Sequence, residues 1–322
     1  MSEPLGADTA MITVITPVYN ERENLPAYAS RVSEVLLARS DFNFNILLVD
    51  DGSSDGSWQE IQAICRSDSR FSGIRLSRNY GSHIALSAGF ATVRGDAIAV
   101  LASDLQDPPE VIIEFLREWR RGAKIVWGRR RTRQDGTWRG LASKAFQLLL
   151  SRFAMPRGSK FTTGSFLLVD QQVAGCISQF QEHHRITFAI VAWTGFDQAV
   201  VDYDRQPRMR GHSKWNFWRM LKTMYDAFIG FSVLPIRVMT LTGVVMFLLA
   251  LGILCYLLVS WLVGQPFPGW TSQMLLLAFF FGLQFLLMGI TGEYLYRIYT
   301  EVVRRPLYFV SETTRGELSG RR

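Results

Sequence analysis

The chain has 322 residues, 48% of them hydrophobic and 20% charged, and a formal net charge of +7. This composition excludes a disordered chain, and the length suits one large domain or two modest ones. The positive balance points to an anionic partner: nucleic acid, an acidic membrane surface or a phosphorylated substrate. The three cysteines, Cys65, Cys176 and Cys255, have no CxxC spacing. That argues against a disulfide framework or a zinc site and fits a reducing compartment. Met1 to Ala10 lacks the basic-then-apolar pattern of a signal peptide.

Met11 to Thr16 is an apolar, β-rich run and reads as the first strand. Asn24 to Ala38 has helical spacing through Leu25, Val32, Val35 and Leu36. Phe44 to Val49 is a second strand, stopped by the acidic turn Asp50-Asp51-Gly52-Ser53-Ser54-Asp55-Gly56. A helix from Ser57, a strand over Phe71 to Leu76 and a helix over Ser82 to Val93 follow. Asp96 to Leu101 is the fourth strand, a helix is expected from Pro108 to Arg120, and Lys124 to Trp127 is a fifth strand. This alternation predicts a largely parallel sheet with helices on both faces. Thr137 to Phe153 is again helical in pattern, and Ser165 to Val169 and Gln198 to Tyr203 are further strand candidates.

Two strand ends carry chemistry-bearing residues. In an open α/β sheet, ligands bind at the carboxyl ends of the strands. Leu101-Ala102-Ser103-Asp104-Leu105-Gln106-Asp107-Pro108-Pro109-Glu110 places carboxylates and an amide oxygen at such an end. Hard oxygen donors there suit Mg²⁺ or Mn²⁺ with a phosphate-bearing substrate; a helix cap with an acidic first turn is the other reading. Asp50 and Asp51 repeat the pattern, either as acceptors for base and ribose groups or as a turn and cap. The Gly-rich dinucleotide fingerprint and the Walker pattern are both missing.

The C-terminal third differs in character. A basic loop over 205–215 precedes Asn216 to Ile229, an amphipathic stretch rich in aromatics that suits a membrane interface. Val238 to Val263 and Gln273 to Ile290 are uncharged and apolar, each near or above the ~18–20 residues that cross a bilayer. Arg219, Lys222, Arg237, Arg297, Arg304 and Arg305 flank the pair, which by the positive-inside rule sets both termini on the cytoplasmic side. Glu293 and Arg297 are spaced as a stabilising i,i+4 pair.

Taken together, the motifs resemble glycosyltransferase family 2. Val14-Ile15-Thr16-Pro17-Val18-Tyr19-Asn20-Glu21, Val49-Asp50-Asp51-Gly52-Ser53-Ser54-Asp55, Arg78-Asn79-Tyr80-Gly81 with Ala88-Gly89, and the Asp104 stretch match in order. Arg205-x-x-Arg208-x-x-Gly211-x-Ser213-Lys214-Trp215 and the two closing apolar runs are similar to its polyprenyl-phosphate branch, which holds bactoprenol glucosyltransferases and dolichol-phosphate mannose synthases. The resemblance covers about residues 11 to 305. It implies an α/β GT-A (Rossmann-like) nucleotide-sugar domain followed by an interfacial helix and two transmembrane helices. The boundaries are then 1–215 for the cytoplasmic catalytic domain, 216–237 for interfacial helices, 238–298 for the transmembrane hairpin and 299–322 for a cytoplasmic tail.

The implied activity is inverting transfer of one sugar, UDP-glucose first, from a nucleotide sugar to undecaprenyl phosphate. It would occur at the cytoplasmic face of a bacterial inner membrane. Pro17, Tyr19, Glu21 and Asp51 would hold base and ribose, with Asp50 supporting them. Asp104 and Gln106 would bind Mg²⁺ or Mn²⁺ on the diphosphate. Arg205, Arg208, Ser213 and Lys214 would lie over the phosphates. Asp170 falls where the family has a proposed catalytic acid, and with Asp104 it is the catalytic candidate. The implied partners are the donor, the polyprenyl phosphate and the bilayer, with no nucleic acid, and the assembly is a homo-oligomer, a tetramer by resemblance.

Three positions depart from the family pattern. Ala102 stands where the metal motif has its first Asp. Leu167 and Gln171 stand where many members have Arg. The run Arg129-Arg130-Arg131-Thr132-Arg133 is a substitute phosphate contact, a solvated loop or an anionic-lipid contact. A processive polysaccharide synthase would carry more spans and a Gln-x-x-Arg-Trp motif. A nucleotide-sugar-binding scaffold without turnover is the reading that Ala102 favours.

Overall fold

A computed structural model of the chain describes residues 10–131, 166–180, 182–183, 186–206, 234–263 and 269–314. The chain divides into two compact units, Met1–Met224 with Pro306–Arg322 and Tyr225–Arg305.

The first unit is built on an eight-stranded sheet. Its strands are β1 (Met11–Val18), β2 (Asn43–Asp50), β3 (Phe71–Leu76), β4 (Ala97–Val100), β5 (Ile125–Arg130), β6 (Leu167–Asp170), β7 (Gln198–Tyr203) and β8 (Val310–Thr313), in the order β7-β5-β6-β4-β1-β2-β3-β8. β1 pairs in parallel with both β2 and β4. The chain steps outward from β1 to β2 to β3, then returns to the other side of β1 for β4. That reversal is a topological switch point, and it opens a crevice beyond the carboxyl ends of β1 and β4.

The strands at the centre are near-continuous apolar runs because both faces are covered. Ile12, Val14, Ile46, Leu48, Ala97 and Ala99 share one core with α1 (Leu25–Val32), α2 (Ser57–Ser67) and α4 (Val111–Arg120). The alternate residues, such as Ile15, meet α3 (Ser82–Thr92), which packs in turn on α5 (Gln171–Gln179) and α6 (Thr187–Trp193). Pro108 and Pro109 form a turn that accepts the Val111 and Ile112 N–H groups, so α4 starts at Val111 rather than at Pro108.

Two strands correct the expectation of a largely parallel sheet. β6 runs antiparallel between β4 and β5, and β8 runs antiparallel along β3. The residues 310–313, expected within a tail, are therefore the edge strand of the first unit. Their hydrogen bonds cap an edge that β3 would otherwise expose.

The second unit contains α7 (Leu234–Leu262), 29 residues, and α8 (Trp270–Val303), 34 residues. Counted over the described residues alone, no helix is long and apolar enough to cross a membrane. Taken with its full sequence, α7 carries no charged residue from Val238 to Leu262. Leu241, Phe247 and Leu248 on α7 and Phe285 and Leu286 on α8 are exposed. Arg297 donates to Glu293 at 2.9 Å, the i,i+4 pair that the spacing predicts.

Gly89 shows how closely α3 lies on β1: an added Cβ would stand 2.5 Å from Ile15 Cγ2. Gly89→Ala is expected to lower the thermal unfolding midpoint of the full chain, at a cost of about 1–3 kcal/mol. Gly175→Ala on α5, where an added Cβ meets nothing within 4 Å, is expected to raise stability by up to about 1 kcal/mol. Equal effects from the two substitutions would contradict this packing.

Candidate active site

The rim at the carboxyl ends of the strands is assembled from loops that hold one another through buried carboxylates. Asp50 ends β2 and Asp51 follows it, and they are 0% and 3% exposed. Burying a charge is costly unless it is paired or hydrogen-bonded. Asp50 Oδ1 accepts the Ser53 N–H at 3.1 Å. Its Oδ2 has no well-aligned hydrogen bond and relies on the Arg75 charge, whose Nε lies 3.2 Å away. Burial pushes the Asp50 carboxyl up, with Ser53 and Arg75 opposing it.

Asp51 turns toward the loop between β3 and α3. Its Oδ1 accepts the Tyr80 N–H at 2.7 Å and its Oδ2 the Gly81 N–H at 2.9 Å. Burial outweighs these bonds and pushes its pKa up to about 6. Between the two loops, Gly52 has φ +66° and lies against the Arg78 backbone, 2.4 Å from where a Cβ would stand. Only glycine meets both requirements.

The loop after β1 is tied to the same turn. Asn20, at φ 54°, donates its N–H to Ser53 Oγ at 2.9 Å and accepts the Ser54 N–H at 2.9 Å. The Glu21 N–H reaches Ser57 Oγ at 3.0 Å, and Glu21 Oε2 accepts from Asn24 Nδ2 at 2.5 Å. Pro17 is half-buried, and Tyr19 is exposed at the tip.

On the other side of the switch point, Asp104 and Gln106 are half-buried on the loop after β4, and Asp104 Oδ1 accepts the Gln106 N–H at 3.2 Å. Leu105 between them has φ 54°, uncommon for a residue with a branched side chain. Asp107 is 1% exposed and gathers the ends of β5 and β7. Its Oδ1 accepts the Tyr203 hydroxyl at 2.6 Å, with Arg205 Nε at 3.6 Å and Arg130 Nη2 at 3.8 Å. The Gln206 N–H bonds the Gln106 carbonyl at 2.9 Å, which fastens the chain after β7 to this loop. Burial opposes the Arg130 charge, but Tyr203, Asp107 and Asp104 outweigh it and raise its pKa.

The structure thus brings Pro17, Tyr19, Glu21, Asp50, Asp51, Asp104, Gln106 and Arg205 to one rim. Asp170 is not among them. Because β6 is antiparallel to β4, Asp170 pairs with Ala97, at the start of β4 and the opposite edge of the sheet. There its carboxylate caps α5 through the Gln172 N–H and accepts from Trp119 Nε1 and Lys124 Nζ. Burial works against its charge, yet these three donors hold the carboxyl below its usual range. Arg208, Ser213 and Lys214 lie outside the described residues. Asp107, Tyr203 and Arg75 are rim residues that sequence reasoning did not select. A carboxylate in the same short stretch as Asp104 was the available signal for Asp107; nothing local marks the other two.

A divalent cation suits the chemistry of this rim only in part. Asp104 and Gln106 offer hard oxygen donors, but Ala102 supplies none, and Asp107 is committed to Tyr203 and two arginines. Among the described residues no group of three His, Cys, Asp or Glu side chains is placed to hold a metal ion. A cation here would take most of its ligands from the phosphates of a bound nucleotide.

A model of the family described as glycosyl transferase family 2 matches residues 13–177. The chain belongs to glycosyltransferase family 2. An uncharacterised glycosyltransferase of Synechocystis is 37% identical, over 94% of this chain and 96% of its own. A prophage-derived bactoprenol glucosyl transferase of Shigella flexneri is 32% identical, over 95% of this chain and 99% of its own. An undecaprenyl-phosphate 4-deoxy-4-formamido-L-arabinose transferase of Shewanella sediminis is 33% identical, over 95% and 93%. A solved mannosyltransferase of Pyrobaculum calidifontis, in complex with GDP-Man and Mn²⁺, is similar over 70% of this chain and 64% of its own, with 15% identity and a TM-score of 0.49. Membership makes this chain a glycosyltransferase, and its α/β fold is built on a mixed sheet.

The raised pKa of Asp51 has a defined effect on stability. The folded state favours the protonated form, so its contribution is full below the ordinary value of 3.8 and is lost as pH rises to about 6. The stability of the wild-type chain relative to Asp51→Asn is expected to fall by about 2 kcal/mol between pH 4 and pH 7. Denaturant unfolding of the two proteins across that range measures it, and a pH-independent difference would contradict the burial of this carboxylate.

Proposed function

We propose that the chain transfers a single sugar from a nucleotide sugar, UDP-glucose first, to undecaprenyl phosphate, with inversion at the anomeric carbon. The observation that carries this reading is the rim itself, where Asp51 and Asp104 flank the switch point and Arg130 and Arg205 stand on Asp107 beside them. Relatives similar along nearly their whole length are named for bactoprenol and undecaprenyl phosphate acceptors, which supports the acceptor class.

In this reading Pro17, Tyr19 and Glu21 line the base and ribose, and Asp51 sets the loop of Tyr80 and Gly81 against them. A phosphate oxygen of the acceptor forms the new bond to the anomeric carbon. The bond from that carbon to the diphosphate breaks, and its electron pair leaves with the nucleoside diphosphate. The guanidinium groups of Arg130 and Arg205 meet the charge that develops there, and such preorganised charge lowers the barrier. A lipid phosphate is already anionic near neutral pH, so the attack needs no general base. Asp170 therefore has no proton to move, in keeping with its place at the far edge. Asp104 and Gln106 would hold a divalent cation against the diphosphate, where it supplies electrostatic neutralisation.

The acceptor calls for a membrane. A 29-residue helix is about 43 Å long, more than the ~30 Å hydrocarbon core. The uncharged run of α7 and the apolar side chains that α7 and α8 expose suit lipid as their solvent. We place both helices across the bilayer, with the Arg-rich flanks on the cytoplasmic side.

Membranes containing the chain, given radiolabelled nucleotide sugars, are expected to yield an organic-extractable labelled lipid. No such product with any common donor would overturn the proposal. Mn²⁺ alone is expected to leave the melting temperature unchanged, whereas Mn²⁺ with UDP raises it above the effect of UDP with EDTA. Ala102→Asp is expected to bring a shift by Mn²⁺ alone; the same shift in the unmodified chain would contradict a cation held chiefly by phosphate.

A further inference from the structure

We infer that Glu312, on the C-terminal strand β8, is a positioning residue for the nucleotide-binding loops and acts through Arg75. The assignment of the rim to a nucleotide rests on the proposed function; the mechanical link does not.

Arg75 lies on β3, facing the turn after β2 on one side and β8 on the other. Its Nε is 3.2 Å from the buried Asp50 carboxylate, and its Nη2 donates to the Ser53 carbonyl at 3.2 Å. Its Nη1 donates to Glu312 Oε1 at 2.8 Å. The other Glu312 oxygen accepts from Nε1 of the buried Trp58 at 2.8 Å, so both carboxylate oxygens are committed. Ser53 passes the constraint on: its hydroxyl accepts the Asn20 N–H, in the loop that carries Tyr19 and Glu21. A chain of contacts therefore runs from Glu312 through Arg75 to Asp50 and Ser53, and on to Asn20.

The register of β8 places Glu312 opposite Arg75, and the pairing is irregular between Arg75 and Leu76. An irregularity in a ladder re-aims a side chain, and such features gather next to active sites. The edge is fixed by the Ser77 N–H to the Phe309 carbonyl at 2.9 Å and by the Gly73 N–H to Thr314 Oγ1 at 2.8 Å. A partly exposed ion pair adds little to stability. Its value here is directional. An arginine that must serve Asp50 and Ser53 is pre-aimed by a carboxylate fixed from behind, and preorganised geometry strengthens ligand binding. Without Glu312, Arg75 is free to swing outward, and Asp50 Oδ2 loses the charge it relies on.

Glu312→Ala and Glu312→Gln are compared with Glu312→Asp in the full chain, by hydrogen–deuterium exchange without ligand and by transfer kinetics. The expected result is faster exchange at the Asn20 and Ser53 amides in the Ala and Gln variants, with the amides of β1 and β4 unchanged. The donor KM is expected to rise about five- to tenfold while kcat stays within twofold, and the Asp variant recovers part of the loss. Unchanged exchange at Asn20 and Ser53 overturns the inference whatever the enzyme transfers. Uniformly faster exchange across the sheet also overturns it, since Glu312 would then serve only stability. If the wild-type chain transfers no sugar, the exchange arm still decides the link, and the proposed function alone fails.

Discussion

A carboxylate removed from water must be given partners, and three of them at one sheet edge determine how this molecule is built. Asp50, Asp51 and Asp107 are almost wholly buried, and each draws at least one partner from another segment of the chain. Asp50 takes Ser53 and Arg75, Asp51 takes the backbone of Tyr80 and Gly81, and Asp107 takes Tyr203, Arg130 and Arg205. Loops that would otherwise be independent are thereby fixed against one another. The polar surface they expose, with Tyr19, Asp104 and Gln106 on it, is preorganised before any ligand arrives. That is the condition under which electrostatic groups contribute most to a reaction.

The same constraint explains why two cations stand near the end of β4 although one carboxylate of the usual metal motif is replaced by Ala102. Asp107 holds Arg130 and Arg205 on the rim and balances only part of their charge. The rim is thus mixed in sign: acidic where the nucleoside would lie and basic where phosphates would meet. In the proposed reading, the base and ribose hydroxyls would donate to the acidic part and the diphosphate would meet the basic part. Under the proposed function, the apolar helices of the second unit would answer a different requirement, that of an acceptor dissolved in lipid.

Much of the fold was legible because the first four strands are apolar runs punctuated by Asp and Gly, and that signal is local. Asp50, Asp51 and Asp104 stood out for the same reason, each directly after such a run. What escaped reading depends on pairings distant in sequence. β6 is as apolar as its neighbours, and nothing in Leu167–Asp170 announces that it runs antiparallel. That direction alone carries Asp170 to the far edge, away from the role that resemblance gave it. Asp107 was visible as a residue, but its partners Tyr203 and Arg205 arrive nearly a hundred positions later. β8 lies beyond two long apolar helices, where a short polar segment reads as a tail. Its place is set by pairing with β3, where Glu312 stands opposite Arg75 and Thr313 opposite Ile74.

The central claim is that the loops tied together by these buried carboxylates form the donor site. Hydrogen–deuterium exchange of the full chain with and without UDP tests it most directly. The account predicts added protection at residues 17–21, 50–53, 78–81 and 104–107, and no change around Asp170. Protection around Asp170 with none at those four segments would contradict it.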